Sequence, residues 1–138
     1  MINKTVMLAC QPERAFILFT EQAGLWWPAD RRHTKDPSSE IRIEAAGRFF
    51  ERSSAGVEVE LGVVLIFEPT RRLLLNWYPG TGPANPTQVE ITFEAVGTGT
   101  RVTVRHNAGV AGQEVFERNA PAYARSWESV LDSLSLQG

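Results

Sequence analysis

The sequence has one cysteine, no run of basic residues and no long apolar segment, and each absence argues against a class of protein. Cys10 cannot form an internal disulfide, which fits a reducing cytosol, so we expect a cytoplasmic protein. The formal net charge of −2, without a Lys or Arg cluster, argues against nucleic-acid binding and an electrostatic membrane anchor. No apolar run approaches the roughly 20 residues that span a bilayer, and the first residues lack the apolar core of a signal peptide.

Motifs that carry chemistry are equally sparse. Two histidines and one cysteine in separate segments make no metal-ligand spacing, so we expect neither a metal nor another cofactor. No serine lies in a nucleophile elbow, and the paired glycines Gly80 with Gly82 and Gly97 with Gly99 are typical of turns rather than phosphate loops. The sequence therefore identifies no catalytic residue.

The composition is that of an ordinary globular protein. Hydrophobic residues make up 43% and charged residues 22% of the 138 positions, which is enough to bury a core. No repeat, low-complexity tract or linker divides the chain. We therefore expect a single domain over residues 1–138.

The clearest periodic pattern lies in the last segment, from Gln113 to Leu136. Its apolar residues recur every three or four positions and form one helical stripe: Phe116, Ala120, Tyr123, Trp127, Val130 or Leu131, and Leu134. Because proline suits the first turn of a helix, Pro121 predicts a short helical lead-in that ends near Asn119 as N-cap. The main helix then begins at about Ala120, and its aromatic stripe needs a broad, curved partner.

The remaining segments predict that partner. A strand over Ile2–Ala9 precedes a helix that opens at Gln11-Pro12-Glu13, a short helical piece from Glu21 to Trp27 and an exposed polar loop over Pro28–Glu40. Alternating apolar and polar residues then predict six strands: Ile41–Glu44, Gly47–Arg52, Val57–Phe67, Leu73–Trp77, Val89–Phe93 and Val102–His106. Short turns imply antiparallel pairing, so we predict an α+β fold in which a curved six- to seven-stranded sheet wraps around the long C-terminal helix.

An ordered series of motifs resembles a known family. The motifs are Pro12-Glu13 with Phe16, Trp26-Trp27-Pro28, Gly47-Arg48-Phe49, Gly62, Glu68-Pro69 with Arg72-Leu73, Trp77, Thr100-Arg101-Val102-Thr103 with His106, and Tyr123 with Trp127. The series resembles the START-like (SRPBCC, helix-grip) superfamily and, within it, the bacterial homologues of the activator of the ninety-kilodalton heat-shock protein's ATPase. The resemblance implies a helix-grip fold, a cavity for an apolar ligand between sheet and helix, and a link to the stress response. Such a fold does not determine the activity.

Strand parity, the helical stripe and, for Glu51, the family resemblance predict which side chains line such a cavity. They are Trp27, Phe49, Glu51, Val63, Leu65, Phe67, Leu75, Trp77, Ile91, Phe93, Val104, His106, Phe116, Tyr123 and Trp127. Large aromatic side chains suit an apolar pocket with a few polar groups. They can equally fill a core that leaves no room for a ligand.

Three polar residues matter for the chemistry. His106 faces the helix by parity, as either a core histidine satisfied by its neighbours or a group that hydrogen-bonds a ligand or transfers a proton. Glu51 has ambiguous parity, and either it points inward to pair with His106 or it lies in water at the rim. His33, in the polar loop, is expected to be a solvated surface residue.

These patterns favour the binding of a small apolar or amphipathic molecule without catalysis. One alternative is a chaperone-linked or other protein-interaction module that acts through its surface. The other is a cyclase- or hydrolase-like enzyme, which a paired carboxyl and imidazole in the cavity would favour. We expect a monomer or a homodimer, because an edge strand is open to pairing, and neither nucleic acid nor membrane as a partner.

Overall fold

Seven antiparallel strands form one curled sheet, against which a long C-terminal helix packs. The computed structural model describes all residues from Met1 to Gly138. The strands are β1 (Ile2–Leu8), β2 (Glu40–Ile43), β3 (Arg48–Arg52), β4 (Glu58–Glu68), β5 (Arg72–Trp77), β6 (Thr87–Val96) and β7 (Gly99–Asn107). The helices are α1 (Pro12–Thr20), α2 (Ala23–Trp26) and α3 (Gln113–Ser135), with a 3₁₀ turn over Ala29–Arg31. The predicted α+β helix-grip architecture is confirmed.

The strand order is β1-β7-β6-β5-β4-β3-β2. Each strand from β2 to β6 pairs with the next strand in sequence, whereas β1 forms the edge of the sheet beside β7. There Ile2 lies opposite His106 and Leu8 opposite Thr100. No helix of the structure is long and apolar enough to cross a membrane.

Most of the apolar stripe of α3 is buried as its spacing predicts, while Ala120 and Tyr123 are half-buried. The C-terminal half of the helix contributes four residues to a core of 24 buried apolar residues: Trp127, Val130, Leu131 and Leu134. Phe116, nearer the start of the helix, packs with Ile2 and Ala108 in a smaller cluster. Burying a large apolar side chain contributes about 1.5–3 kcal/mol, so the buried residues of this stripe supply much of the free energy that holds α3 against the sheet.

The predicted division of the last segment into a lead-in and a main helix is wrong. The helix is continuous from Gln113 to Ser135 and contains Pro121 in its interior. Asn119 does not act as an N-cap, since its side-chain amide donates to the carbonyl of Val115 at 3.1 Å. Pro121 and Glu117 are both exposed, so water can hydrate the Glu117 carbonyl that lacks an amide partner. The buried stripe on either side keeps the helix intact.

Strand β4 departs from the predicted period of two because it contains two β-bulges. Leu61 has no partner on β3, and Leu65 has none on β5. Each extra residue changes which of the following side chains point inward. Val64 therefore enters the core at 7% exposure, whereas Leu65 is 48% exposed and Val63 lies half-buried on the outer face. The predicted inward placement of Val63 and Leu65 is wrong.

Gly62 lies between the two bulges and opposite Trp77 of β5. A Cβ atom at this position would collide with the carbonyl oxygen of Asn76 and lie 3.3 Å from the Trp77 ring. Glycine therefore allows β4 to approach β5 this closely. The close approach helps to seat the Trp77 ring on the inner face of the sheet.

The parity of β3, which the sequence leaves open, is resolved. Phe49 and Glu51 point inward, and both are 0% exposed. Phe50 points outward, where the guanidinium carbons of Arg48 and Arg52 lie 4.1 and 5.3 Å from the centroid of its ring. These cation–π contacts cover the outward ring. Glu51 is thus a buried carboxylate and not a residue of the rim.

Candidate ligand-binding cleft

A cleft with a volume of about 410 Å³ opens between α3 and one end of the sheet. Three segments supply its walls: Trp27 to Lys35, the β5–β6 connection from Trp77 to Thr87, and the α3 surface from Asn119 to Val130. Elsewhere the space between helix and sheet is filled, with Leu75 and Val104 both 0% exposed. The interior therefore has a packed part and an open end.

The predicted lining residues divide between these two parts. Four of them border the cleft: Trp27, Trp77, Tyr123 and Trp127. Seven others belong to the apolar clusters away from it: Phe49, Phe67, Leu75, Ile91, Phe93, Val104 and Phe116. Val63 and Leu65 lie off the inner face, and the two polar residues, Glu51 and His106, are buried behind the walls.

A continuous series of aromatic contacts supports the walls of the cleft. The Trp77 ring lies 5.2 Å from the Trp127 ring between centroids, which joins the sheet to the helix. Phe49 packs edge-on against both Trp77, at 5.1 Å, and Trp27, at 5.9 Å. Such edge-to-face contacts each add about 0.5–1.5 kcal/mol beyond area burial. The three tryptophans at the cleft are therefore held by contacts with one another and with Phe49.

His106 lies behind these aromatic rings and links Trp127 to the sheet through hydrogen bonds. The indole N–H of Trp127 donates to its Nδ1 at 3.1 Å, and its Nε2 lies 2.7 Å from the Thr87 hydroxyl oxygen. An indole can only donate, so Nδ1 is the acceptor and the ring proton is on Nε2. The Thr87 hydroxyl in turn donates to the Trp77 carbonyl at 3.1 Å. This relay from Trp127 to Trp77 leaves neither nitrogen of His106 free for a ligand.

The same surroundings determine the charge of His106. The ring is 0% exposed, and burial lowers the pKa of His106 to about 4. The imidazole is therefore neutral near pH 7, which is the form that the Trp127 hydrogen bond requires. A protonated Nδ1 would face another donor.

Glu51 is an anchor for the loop that forms one wall. Its carboxylate accepts the backbone N–H groups of His33, at 2.8 Å, and Thr34, at 3.0 Å, and also the Thr34 hydroxyl. Burial by itself would raise the pKa of Glu51, but these hydrogen bonds outweigh it and lower the pKa. The predicted pairing of Glu51 with His106 is not seen among the hydrogen bonds of either residue.

The predicted exposure of the whole loop over Pro28–Glu40 is wrong, because Arg32 is only 4% exposed. Its guanidinium donates to the backbone carbonyls of Gly24, Trp27 and Ser39 at 2.7–2.9 Å. Burial lowers the pKa of Arg32, and the nearby charges of Glu51 and Asp36 oppose the shift. The Nε atom of this arginine has no partner, but the hydrogen bonds of its two terminal nitrogens fix the loop from beneath.

The polar rim is the part of the cleft that the sequence did not reveal. Its unpredicted residues include Asp30, Arg31, Lys35, Tyr78, Thr87, Asn119 and Ser126. They lie in segments assigned to exposed loops or strand ends, or on α3 outside the apolar stripe. One signal is present in the sequence, since Arg31, Arg32 and Lys35 lie shortly after the Trp26-Trp27-Pro28 motif, which the family resemblance places near the cavity.

Comparison with known proteins identifies the family. The model of the family described as Activator of Hsp90 ATPase homolog 1-like protein matches residues 9–136. Among curated proteins, none matches the sequence.

Solved structures with the same fold have low sequence identity. CalC from Micromonospora echinospora, described as a self-sacrificing resistance protein, is 23% identical with a TM-score of 0.69, covering 99% of this chain and 92% of that chain. DynU16, from the dynemicin biosynthetic locus, is 15% identical with a TM-score of 0.70, and the match covers 97% of this chain but only 45% of that chain. Txn09, an anthrahydroquino-γ-pyrone synthase, is 22% identical with a TM-score of 0.60, covering 96% and 95%. At these identities the likeness shows the fold alone.

Proposed function

The chain belongs to the family of Activator of Hsp90 ATPase homolog 1-like proteins, and we propose that it binds a small apolar or amphipathic molecule in the cleft without catalysing a reaction. The observation that carries the proposal is the cleft itself, with a volume of about 410 Å³ and three tryptophans in its walls. Small-molecule sites commonly have volumes of about 300–1,000 Å³, with apolar or aromatic walls and a few polar groups. Here the tryptophans supply apolar wall, while most of the lining residues are polar, which suits an amphipathic molecule.

Two of the similar structures support the small-molecule part of this proposal, although neither supports the absence of catalysis. Txn09 is a synthase, and DynU16 comes from a biosynthetic locus. Other chains that fold in this way are therefore associated with small-molecule biosynthesis. An interior packed without an opening would instead have favoured the interaction module linked to a chaperone.

The proposal is tested with the neutral apolar dye N-phenyl-1-naphthylamine. We expect a saturable rise in its emission at low micromolar affinity, roughly −8 kcal/mol. Apolar area would supply most of this free energy, less the costs of association and ordering. Mass spectrometry of compounds that copurify with the native protein would identify a natural ligand directly.

The control is a variant that fills the cleft. Ala122 lines the cleft from an exposed position on α3, so Ala122→Phe should leave the fold intact and remove the saturable response. Arg125→Phe, on the same helix but outside the cleft, should leave the response unchanged. A dye response that survives Ala122→Phe at full amplitude would place the dye elsewhere on the surface, and the interaction module would become the leading hypothesis.

A further inference from the structure

Resting on the proposed function, we propose that the cleft selects planar aromatic molecules that carry a carboxylate or another anionic oxygen. The aromatic walls would hold the ring system. Unpaired donors and cations at the same site would hold the anionic oxygen.

The first observation concerns the indole N–H groups. Trp26 and Trp127 donate theirs to the Leu18 carbonyl, at 2.8 Å, and to His106. Trp27 and Trp77 donate to no protein atom, although they are only 6% and 7% exposed and both line the cleft. An indole nitrogen is a donor only, and neither of these nitrogens is among the buried atoms that lack a partner, so both N–H groups reach solvent at the cleft, where water or a ligand oxygen can accept them.

The second observation concerns the cationic side chains of the rim. Arg31 and Lys35 line the cleft, and neither forms an ion pair or a side-chain hydrogen bond within the protein. The Nε atom of Arg31 is buried without any partner. Most other arginines of the chain, in contrast, pair with glutamates on the outer face of the sheet, as Arg72 does with Glu90 at 2.6 Å.

The charges around the cleft favour an anion over a cation. Arg31, Arg32 and Lys35 line it, against the single carboxylate of Asp30, whereas the whole chain has a formal net charge of −2. The buried carboxylate of Glu51 offsets the charge of Arg32, which leaves Arg31 and Lys35 against Asp30 and therefore an excess of one positive charge at the cleft. Cations over aromatic walls bind a planar anion through both charge and stacking.

The experiment compares two probes of nearly the same shape, 2-naphthoate and 2-naphthamide, by isothermal titration calorimetry near pH 7.5. A charge-assisted hydrogen bond is worth about tenfold or more in affinity, so we expect naphthoate to bind at least about tenfold more tightly than the amide. The preference should shrink severalfold at high salt, because the rim is open to solvent. This ratio is measured on the native sequence and needs no variant.

The variant Arg31→Gln/Lys35→Gln should reduce the ratio of the naphthoate affinity to the amide affinity to about one. The matched control is Arg14→Gln/Arg71→Gln, which removes two exposed cations outside the cleft and should preserve the preference. Equal binding of both probes by the native protein, or a preference that the control also abolishes, would overturn the anion proposal and leave apolar binding standing. Failure of both probes to bind would instead overturn the proposed function.

Discussion

The two ends of the interior use the same kind of residue for different purposes. At the packed end, Phe16 of α1 fits edge-on between Phe67 and Phe93, with ring centroids 5.3 and 5.1 Å away. At the open end, Trp77 and Trp127 pack against each other and also border the cleft. The difference lies in what covers the aromatic rings. Helix α1 covers the first set, whereas connecting segments surround the second and leave a gap.

The two ends also differ in how they are stabilised. Apolar contact dominates the packed end. The open end concentrates buried polar groups, namely His106, Glu51 and Arg32, each of which has hydrogen-bond partners. Stability at the open end therefore depends on protonation and on individual hydrogen bonds, whereas stability at the packed end depends on buried area.

The largest expected effect compares truncations at the two ends. Phe19→Ala at the packed end, where the ring is 0% exposed, should lower the free energy of unfolding by about 3–5 kcal/mol. Tyr123→Ala at the cleft should lower it by less than about 2 kcal/mol, because this side chain is only half-buried and water can fill the space. Urea unfolding measures both values, and equal losses would show that the open end is packed as tightly as the other.

The next effect is the pH dependence that His106 gives to the open end. Its pKa is about 4 in the folded protein against an ordinary value of 6.5, so between these values the unfolded chain binds the extra proton. Stability should therefore fall as the pH drops from about 6.5 to about 4, by at most about 3 kcal/mol from this residue. Urea unfolding at several pH values, in the native protein and in His106→Gln, isolates this contribution. A variant with an unchanged pH dependence would refute it.

A smaller difference in stability is expected between variants of Trp127, whose indole N–H has a protein partner, and of Trp77, whose indole N–H has none. Trp127→Phe leaves the buried Nδ1 of His106 without a donor, whereas Trp77→Phe removes an N–H that has no protein partner. Since both changes remove similar ring area, we expect Trp127→Phe to cost about 1 kcal/mol more in urea unfolding. If the two variants lose the same stability, the relay through His106 contributes nothing.

For catalysis we expect no effect at all: the protein should not turn over generic esters or lactones. The imidazole of His33 and the carboxyl of Asp30 both line the cleft, so they are the groups to test if turnover occurs. Turnover that His33→Gln and Asp30→Asn remove, in variants that remain folded, would put the enzyme hypothesis ahead of simple binding. Thermal unfolding of each variant supplies the control.

The fold could be predicted from the sequence because most elements obey a simple period. The alternation in β5, β6 and β7 places Leu75, Ile91 and Val104 in the core as expected. The alternation fails in β4, because a bulge depends on how two strands fit together rather than on the composition of either strand. Likewise, Pro121 predicts a break that the burial of the surrounding stripe overrides.

The candidate site was less predictable, since its rim is assembled from segments far apart in the sequence. Trp27, Trp77 and Trp127 were identified because aromatic residues stand out in periodic segments. Arg31 and Lys35 were not identified, because a basic residue in a polar loop looks the same whether it faces bulk water or a cleft. Whether Arg31 and Lys35 face the cleft depends on the anchoring of that loop by Glu51 and Arg32. These are tertiary contacts, which the sequence pattern does not show.

The two bulges of β4 have a consequence for how this fold can diversify. A bulge bends its strand and increases the local twist, so the number of residues in β4 contributes to the curvature of the whole sheet. Curvature in turn determines how far the end of β5 stands from α3. Deleting Leu61 or Leu65, neither of which lines the cleft, would therefore alter its width. Proteins with this fold could therefore accept ligands of different sizes by changing the length of β4, while every residue that lines the cleft stays the same.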